Sequence, residues 1–326
     1  MSNRVTQADI VTLYRGLLSR EPEESAIANY IDNQIEKQVL IENIIASDEF
    51  KNRLQSINRE DALKKRYTPS FIGRYYNKID LSASSSQLKT IEQSVRSVWT
   101  KLGEEEPHWS VATLPQYRAD QMTPEAEEAF YASGRPEVEE LLHACACNGI
   151  ALPRHGLVLD LGCGLGRLGE HLSSVFETYL GTDISAKHLA AARGRFERLG
   201  RTNARFELLP DLLAGSQTFD CLFSLIVLQH NPPPIIAQVL DAMLGRLNPG
   251  GIGFFQIPSY IEGYTFEVGS YLDGIAGGSG MEMHVLPQNQ VFAICDANAC
   301  VPIDVVVDAR IGPIGVSNTY FVQKKR

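Results

Sequence analysis

Residues 157–167, LVLDLGCGLGR, decide the fold of this chain. An apolar run contains one acid, Asp160, and is followed by three glycines at alternate positions before polar residues begin. This pattern is typical of a buried parallel strand that ends in a glycine turn at the N-terminus of a helix. Because glycine has no side chain, the backbone of such a turn can approach a ligand closely. The stretch therefore predicts a site for a nucleotide-like cofactor.

The glycine turn fits two classes of cofactor. Gly162, Gly164 and Gly166 give the spacing G-x-G-x-G, whereas Gly164, Gly166 and Gly169 give the G-x-G-x-x-G of dinucleotide sites. Asp160 favours the first class, because a carboxylate at the strand tip would repel an anionic pyrophosphate. S-adenosylmethionine carries an ammonium and a sulfonium but no phosphate, so the same carboxylate would attract it.

A second acid follows at the end of the next predicted strand. Asp183 lies in YLGTDIS (179–185), about 20 residues beyond the turn, where a carboxylate can accept hydrogen bonds from ribose hydroxyls. This position suits either cofactor class, so it supports a nucleoside site without choosing between them.

The segments after the turn follow an order that resembles class I S-adenosylmethionine-dependent methyltransferases, from about Phe130 to the C-terminus. RFELLPDL (205–212) predicts a third strand that closes on Asp211. FDCLFSLIVLQH (219–230) predicts a fourth strand running into an active-site loop, and LNPGGIGFFQIPS (247–259) predicts a turn and a fifth strand. Together, in this order, these segments are far more specific than any one of them.

The resemblance implies an α/β fold, a doubly wound and mostly parallel seven-stranded Rossmann-like sheet with an all-helical N-terminal domain. The last strand of such a sheet is antiparallel, and VSNTYFVQKK (316–325) alternates as that strand should. The implied cofactor is S-adenosyl-L-methionine, with Asp211 near its adenine amino group. The cofactor-binding candidates are Asp160, Gly162, Cys163, Gly164, Gly166, Arg167, Asp183, Ile184, Asp211, Leu212, Leu225, Tyr117 and Arg118.

The chain is predicted to have three parts, a helical N-terminal module (1–55), a helical connector and lid (56–136) and a methyltransferase domain (137–326). LYRGLLSREPEESAIANYI (13–31) and IIASDEF (44–50) resemble a small helical domain of unknown function that is attached to bacterial glycosyltransferases and cell-surface proteins. The module contains no set of acid, base and nucleophile. We therefore expect it to serve as an interaction or scaffolding unit for a protein partner.

Aromatic and basic side chains are concentrated just before the first strand of the predicted sheet. In the resembled family, this segment folds over the cofactor as a lid. Packing between the two domains is the alternative role for each of these residues. They are His108, Trp109, Tyr117, Arg118, Tyr131 and Arg135.

Charge and composition exclude several classes of function. The net charge of −9 disfavours a nucleic-acid partner, because such partners are held by basic stripes. The N-terminus has no apolar leader and no run of 18 apolar residues occurs, so the sequence predicts a cytoplasmic protein without a membrane span. The six cysteines lack zinc-site spacing, and acids do not cluster near the fourth strand, so we expect no metal.

Methyl transfer to a hydroxyl requires a base, and histidine is the natural candidate. His284 and His230 fall where the acceptor should lie, with His284 ahead because it follows the glycine-rich insert 264–280, a predicted part of the acceptor pocket. Glu282 could orient His284 or act as the base itself. HNPPP also resembles the N-P-P-aromatic motif of amino-group methyltransferases, with Asn231 on the target nitrogen, but it lacks the aromatic residue.

The sequence therefore predicts a methyltransferase that O-methylates a sugar or glycan hydroxyl. The sugar is implied only by the proteins to which the N-terminal domain's relatives are attached, which is an association and not chemistry. One alternative is O- or N-methylation of another small metabolite. Another is a non-catalytic protein that binds S-adenosylmethionine or a partner, although Asp160, the glycine turn and Asp183 argue against it.

Overall fold

The computed structural model describes residues 4–18, 20–52, 77–275 and 280–326. Its backbone contacts divide the chain into two compact units, Met1–Tyr76 and Asn77–Arg326. The boundary therefore falls inside the predicted connector and lid, and the described part of that segment, from Asn77 onward, belongs to the second unit. The predicted connector over 56–76 lies outside the described residues.

The first unit contains a small helical core. Thr6 Oγ1 accepts the Asp9 backbone N–H at 3.3 Å and the Asp9 carboxylate accepts the Thr6 N–H at 2.9 Å, so the two residues form a capping box at the start of the first helix. Ile10 and Leu40 are fully buried in the apolar cluster that joins the helices. The helices are α1 Gln7–Leu13, which continues into the π-turn Tyr14–Leu18, α2 Glu24–Asp32 and α3 Lys37–Ala46.

The second unit is an α/β fold around a seven-stranded sheet of order β4-β3-β2-β5-β6-β9-β8. The strands are β1 Lys78–Ile79, β2 Leu157–Leu161, β3 Thr178–Asp183, β4 Ala204–Leu208, β5 Phe219–Ser224, β6 Leu247–Ile261, β7 Thr265–Phe266, β8 Cys300–Asp308 and β9 Gly315–Lys324. The helices are α4 Ser85–Glu105, α5 Pro107–Val111, α6 Pro124–Ala132, α7 Arg135–Cys147, α8 Gly169–Val175, α9 Ala186–Arg198, α10 Leu209–Ala214, α11 Pro233–Gly245, α12 Val268–Ile275 and α13 Gln288–Ala297.

The predicted fold class is confirmed. Strands β2 to β6 are joined by parallel pairs, and β9 inserts antiparallel between β6 and β8, with Phe255 opposite Tyr320. Each parallel crossover carries at least one helix, as such connections require. The carboxyl ends of β2, β3 and β5 consequently meet at one edge of the sheet, where ligands of doubly wound folds bind.

Both faces of the sheet are covered by helices. Successive residues of a strand point to opposite faces, so Leu159 joins one apolar cluster and Val158 the other. The first cluster includes Ile91 and Val95 of α4, which are four residues apart and so lie on one face of the helix. Helix α4 is therefore part of the α/β core rather than a connector outside it.

Two local predictions differ from the structure. Strand β4 ends at Leu208 and helix α10 begins at the next residue, so Asp211 lies in a helical turn and not at the end of a strand. Pro210, in the first turn, explains the early start, because proline lacks only an N–H that a helix leaves unpaired there. The predicted connector also contributes the short strand β1, which pairs with β7 in the glycine-rich insert.

In the described ranges, no helix is long and apolar enough to cross a membrane.

Candidate active site

The glycine turn at the end of β2 has the conformation that its sequence predicts. Gly162 (φ 76°) and Gly164 (φ 54°) lie in the left-handed region that disfavours other residues. A Cβ at Gly162 would overlap Val227, and one at Gly164 would lie 2.8 Å from Val111 Cγ2. The turn backbone is therefore covered closely by side chains of the β5 loop and of α5.

Asp183 is fixed at the end of β3 by two backbone donors. Its Oδ2 accepts the Gly164 N–H at 2.9 Å, and its Oδ1 accepts the Ser185 N–H at 2.8 Å. The side chain lines a cavity at this edge of the sheet, although the residue is only 8% exposed. Each carboxylate oxygen has further lone pairs, so the group can accept hydrogen bonds from a diol without moving.

Asp160 does not lie where the electrostatic argument from the sequence requires. Its carboxyl group accepts a 2.8 Å hydrogen bond from Tyr179 Oη, is 1% exposed and does not line the cavity. Burial raises the pKa of Asp160 to about 7. An attraction between this carboxylate and a bound cation therefore has no direct contact to support it.

Gly169 has a structural role in the same place. A Cβ at Gly169 would overlap Tyr179 Oη, and a Cβ at Gly181 would lie 2.8 Å from that oxygen. These glycines make room for the tyrosine that bonds Asp160. The last glycine of the G-x-G-x-x-G spacing is thus explained by the packing of Tyr179 against the turn.

A cavity of about 460 Å³ opens at this edge of the sheet, within the size range of small-molecule sites. The predicted cofactor residues on its wall are Gly162, Cys163, Gly164, Arg167, Asp183, Ile184, Leu225 and Tyr117. Those away from it are Asp160, Gly166, Asp211, Leu212 and Arg118. Asp211 is exposed, Leu212 is buried in the core, and Arg118 stacks on Trp109 with its guanidinium 3.8 Å from the ring centroid.

The predicted lid contributes one wall of the cavity. Ser110, Val111 and Tyr117 line it, and Tyr117 packs with Leu165 of the glycine turn in one apolar cluster. His108 instead lies edge-on to a phenylalanine, away from the cavity wall, and burial lowers its pKa.

Three cavity residues, Arg167, His188 and Arg310, each have a buried nitrogen without a hydrogen-bond partner among the described residues. Arg167 binds Glu137 through Nη2 at 2.6 Å and Ser133 through Nη1 at 3.2 Å, but its Nε is unpaired. His188 contacts Ser110 Oγ through Nε2 at 3.1 Å, and its unpaired Nδ1 lies 3.7 Å from Asp183 Oδ1. Sequence reasoning missed His188, because one histidine within a helix carries no motif.

His230 lies on the cavity wall in a defined protonation state. Its Nδ1 lies 2.7 Å from the backbone carbonyl oxygen of Glu282, which can only accept, so Nδ1 carries the proton. The lone pair is then on Nε2, which lies 3.3 Å from Gln229 Nε2. Burial lowers the pKa of His230, which keeps the ring neutral.

A chain of amides fixes this tautomer independently. The Ile226 N–H donates to Gln256 Oε1 at 3.1 Å, so the Gln256 amino group faces Gln229 Oε1 at 3.0 Å. The amino group of Gln229 is thereby left to donate to His230 Nε2. Ile226 has φ 59°, a strained value for a β-branched residue, of the kind found at functional sites.

His284, the preferred base from the sequence, has both ring nitrogens engaged and does not line the cavity. Its Nε2 donates to the Glu282 carboxylate at 3.0 Å, and its Nδ1 accepts from Tyr264 Oη at 2.7 Å. Glu282 also accepts from Tyr271 Oη at 2.8 Å and likewise is not on the cavity wall. His284 therefore lacks a lone pair for a substrate, and Glu282 orients it, as one of the two sequence hypotheses proposed.

The glycine-rich insert is not itself on the cavity wall in its described part, 264–275 and Gly280. Met281 and Met283, which directly follow it, line the cavity instead. In the described part of the chain, no cluster of three or more histidine, cysteine or acidic side chains could hold a metal ion.

Comparison with known proteins assigns the central part of the second unit. Residues 159–252 match the family model described as a methyltransferase domain. The ubiquinone biosynthesis O-methyltransferase of Cereibacter sphaeroides is 33% identical over 103 residues, which are 31% of this chain and 41% of that protein. The trans-aconitate 2-methyltransferase of Variovorax paradoxus is 34% identical over 113 residues, 33% of this chain and 41% of that protein. The chain thus spans about two fifths of the length of these relatives.

A solved structure extends the comparison to 72% of the chain. The magnesium protoporphyrin IX methyltransferase of Synechocystis PCC 6803, crystallised with bound S-adenosylhomocysteine, superposes with a TM-score of 0.51. The match is 18% identical and covers 72% of this chain and 100% of that one. The second unit therefore shares the fold of S-adenosylmethionine-dependent methyltransferases.

Proposed function

We propose that this protein is an S-adenosylmethionine-dependent methyltransferase that transfers a methyl group to a hydroxyl of a small molecule. The proposal depends on one observation: the same cavity is lined by Asp183 with the glycine turn and by the neutral His230 ring. A cofactor held by the turn and an acceptor deprotonated by the histidine would thus share one enclosed space. The methyltransferase domain match and the O-methyltransferase among the relatives support this reaction class.

The cavity residues fit the proposed cofactor. Asp183 would accept hydrogen bonds from the ribose hydroxyls, with the apolar Ile184 beside it. The unpaired Nε of Arg167 would donate to the methionine carboxylate. When bound, the cofactor supplies an electrophilic methyl group on a sulfonium.

His230 would act as the general base. A hydroxyl entering the cavity would replace Gln229 at His230 Nε2, because that contact, at 3.3 Å, is long for a hydrogen bond. Nε2 would take the hydroxyl proton while the carbonyl of Glu282 holds the Nδ1 proton and stabilises the resulting imidazolium. The lid and the apolar wall would exclude water from the reaction.

Three finer proposals come from the sequence alone. They are a sugar or glycan acceptor, a cytoplasmic location, and a protein partner for the N-terminal module. For the acceptor, O- or N-methylation of another small metabolite is the competing proposal, with the trans-aconitate 2-methyltransferase relative as one example of a small-molecule enzyme.

The experiment that tests the proposed function combines binding with turnover. Calorimetric titration of the purified protein with S-adenosylhomocysteine is expected to give one site per chain. Incubation with methyl-labelled S-adenosylmethionine and pooled small-molecule extracts should label a product in the wild-type protein and not in the His230→Ala variant. Cofactor binding without any labelled product would favour the non-catalytic alternative, and absence of binding would refute the proposal.

A further inference from the structure

An aromatic ring and two thioethers contribute to the wall of the cavity that contains His230. The rings of Trp99 and His230 have centroids 5.3 Å apart. Met281 and Met283 flank Glu282, whose backbone carbonyl is 2.7 Å from His230 Nδ1, and both methionines line the cavity together with Trp99. The acceptor position next to the proposed base is therefore bounded by polarizable apolar groups.

Polar side chains at this position are already used by the protein. The Asn231 amide donates to the Val227 carbonyl at 3.1 Å. The Gln229 carbonyl accepts from Gln256, so a hydroxyl that replaces Gln229 at His230 releases only its amino group. The Glu282 carboxylate faces Tyr271 and His284. A sugar ring here would lose the water bound to several of its hydroxyls without gaining protein partners for them, and buried polar groups without partners oppose binding.

We infer that the acceptor is a planar aromatic hydroxyl compound, a phenol or naphthol, whose ring lies between Trp99 and the methionine pair with its hydroxyl on His230 Nε2. Aromatic rings gain from indole stacking and from contacts with sulfur. This inference rests on the proposed function and narrows its acceptor class. It replaces the sugar expected from the sequence with an acceptor chosen from the lining of the cavity.

The proton balance agrees with this acceptor. Nε2 of His230 takes the phenolic proton, a bond forms between the phenolic oxygen and the methyl carbon, and the bond from that carbon to sulfur breaks. S-adenosylhomocysteine and a methyl ether are the products. The pKa of a phenol, about 10, lies far below that of an aliphatic alcohol, so a weakly basic buried histidine deprotonates a phenol more readily.

The test uses 2-naphthol and methyl α-D-glucoside as matched probes. Each is titrated calorimetrically into the full-length protein saturated with S-adenosylhomocysteine, and each is offered for turnover with methyl-labelled S-adenosylmethionine. The Trp99→Leu variant removes the ring and keeps an apolar side chain. Trp109→Phe serves as the control, because the other tryptophan of this chain does not line the cavity.

We expect 2-naphthol to bind and to accept the methyl group, and the glucoside to do neither. Trp99→Leu should weaken naphthol binding roughly tenfold, with S-adenosylhomocysteine affinity unchanged as evidence of an intact fold. Glucoside binding as tight as that of naphthol, binding of neither probe, or an equal loss in Trp109→Phe would each overturn the inference. The titrations are also repeated without S-adenosylhomocysteine. If the cofactor does not bind, the results with and without it will be the same, and that outcome would refute the proposed function instead.

Discussion

At the scale of single residues, the site depends on which carboxylates and imidazoles have a lone pair available for a ligand. Backbone donors hold both oxygens of Asp183 and a backbone carbonyl holds Nδ1 of His230, and each side chain keeps acceptor capacity on the cavity wall. Asp160 and His284 are instead satisfied by tyrosines and lie off that wall. Partners and burial, rather than residue type, therefore separate candidate functional groups from structural ones.

Replacing Asp183 should weaken cofactor binding. Asp183→Ala removes charge-assisted hydrogen bonds to the ribose and the support of the Gly164 N–H, so we expect a loss of about 1.5–3 kcal/mol in calorimetric titration with S-adenosylhomocysteine. Asp211→Asn is the control, because Asp211 is exposed and does not line the cavity. Equal affinities in both variants would show that Asp183 does not hold the cofactor.

Replacing His230 should affect the chemical step. His230→Ala is expected to lower turnover by roughly 10²–10⁴-fold with cofactor affinity near wild type. Because burial lowers the pKa of His230, the wild-type enzyme should lose kcat/KM only as the pH falls below 6.5. Full turnover in His230→Ala, or an acid limb above pH 6.5, would exclude this histidine as the base.

The buried Asp160 should make stability depend on pH. Its pKa is raised from 3.8 to about 7, so the folded protein keeps a proton that the unfolded chain loses. The free energy of unfolding then decreases through this group as the pH rises between these values. We therefore expect the free energy of unfolding of Asp160→Asn, measured with urea and compared with that of the wild type, to be relatively higher at pH 8 than at pH 5. The same difference at both pH values would contradict the assignment.

At the scale of elements, the β2 turn joins three parts of the site. It follows the strand, donates to Asp183 on β3 and packs under Val111 of α5. Its conformation is therefore set jointly by its glycines and by the side chains above it.

Adding a methyl group to the turn separates strain from contact. Gly162→Ala and Gly149→Ala both place alanine at positive φ, which costs about 1–2 kcal/mol. A Cβ at Gly162 also overlaps Val227, whereas nothing lies within 4 Å of a Cβ at Gly149. We expect Gly162→Ala to have the lower melting temperature and the weaker cofactor binding. Equal decreases in melting temperature for the two variants would mean that the turn accommodates the added methyl group without an energetic cost from the overlap.

At the scale of the whole molecule, the boundary between the units lies after Tyr76. Asn77 belongs to the second unit, because its side-chain amide bonds the backbones of Ile261 and Tyr264 at 2.8–3.0 Å. A chain that begins at Asp61 keeps these contacts and every residue of the cavity.

Removal of residues 1–60 should therefore leave cofactor binding intact. We expect an unchanged dissociation constant for S-adenosylhomocysteine in the shortened protein. A second truncation that begins at Ser85 removes β1 and Asn77 and should lower the melting temperature. Loss of cofactor affinity in the longer of these two proteins would show that the N-terminal module completes the site.

The sequence by itself determined the glycine turn and the position of Asp183 at the end of a strand, because backbone conformation and hydrophobic periodicity are local properties. The resemblance to methyltransferases implied the mostly parallel seven-stranded sheet. Only the tertiary structure decided that Asp160 faces Tyr179, that His284 is saturated and His230 is not, and that Met281 and Met283 border the base. These outcomes depend on contacts between residues far apart in the chain, and neither spacing nor residue type records which lone pair a distant donor will occupy.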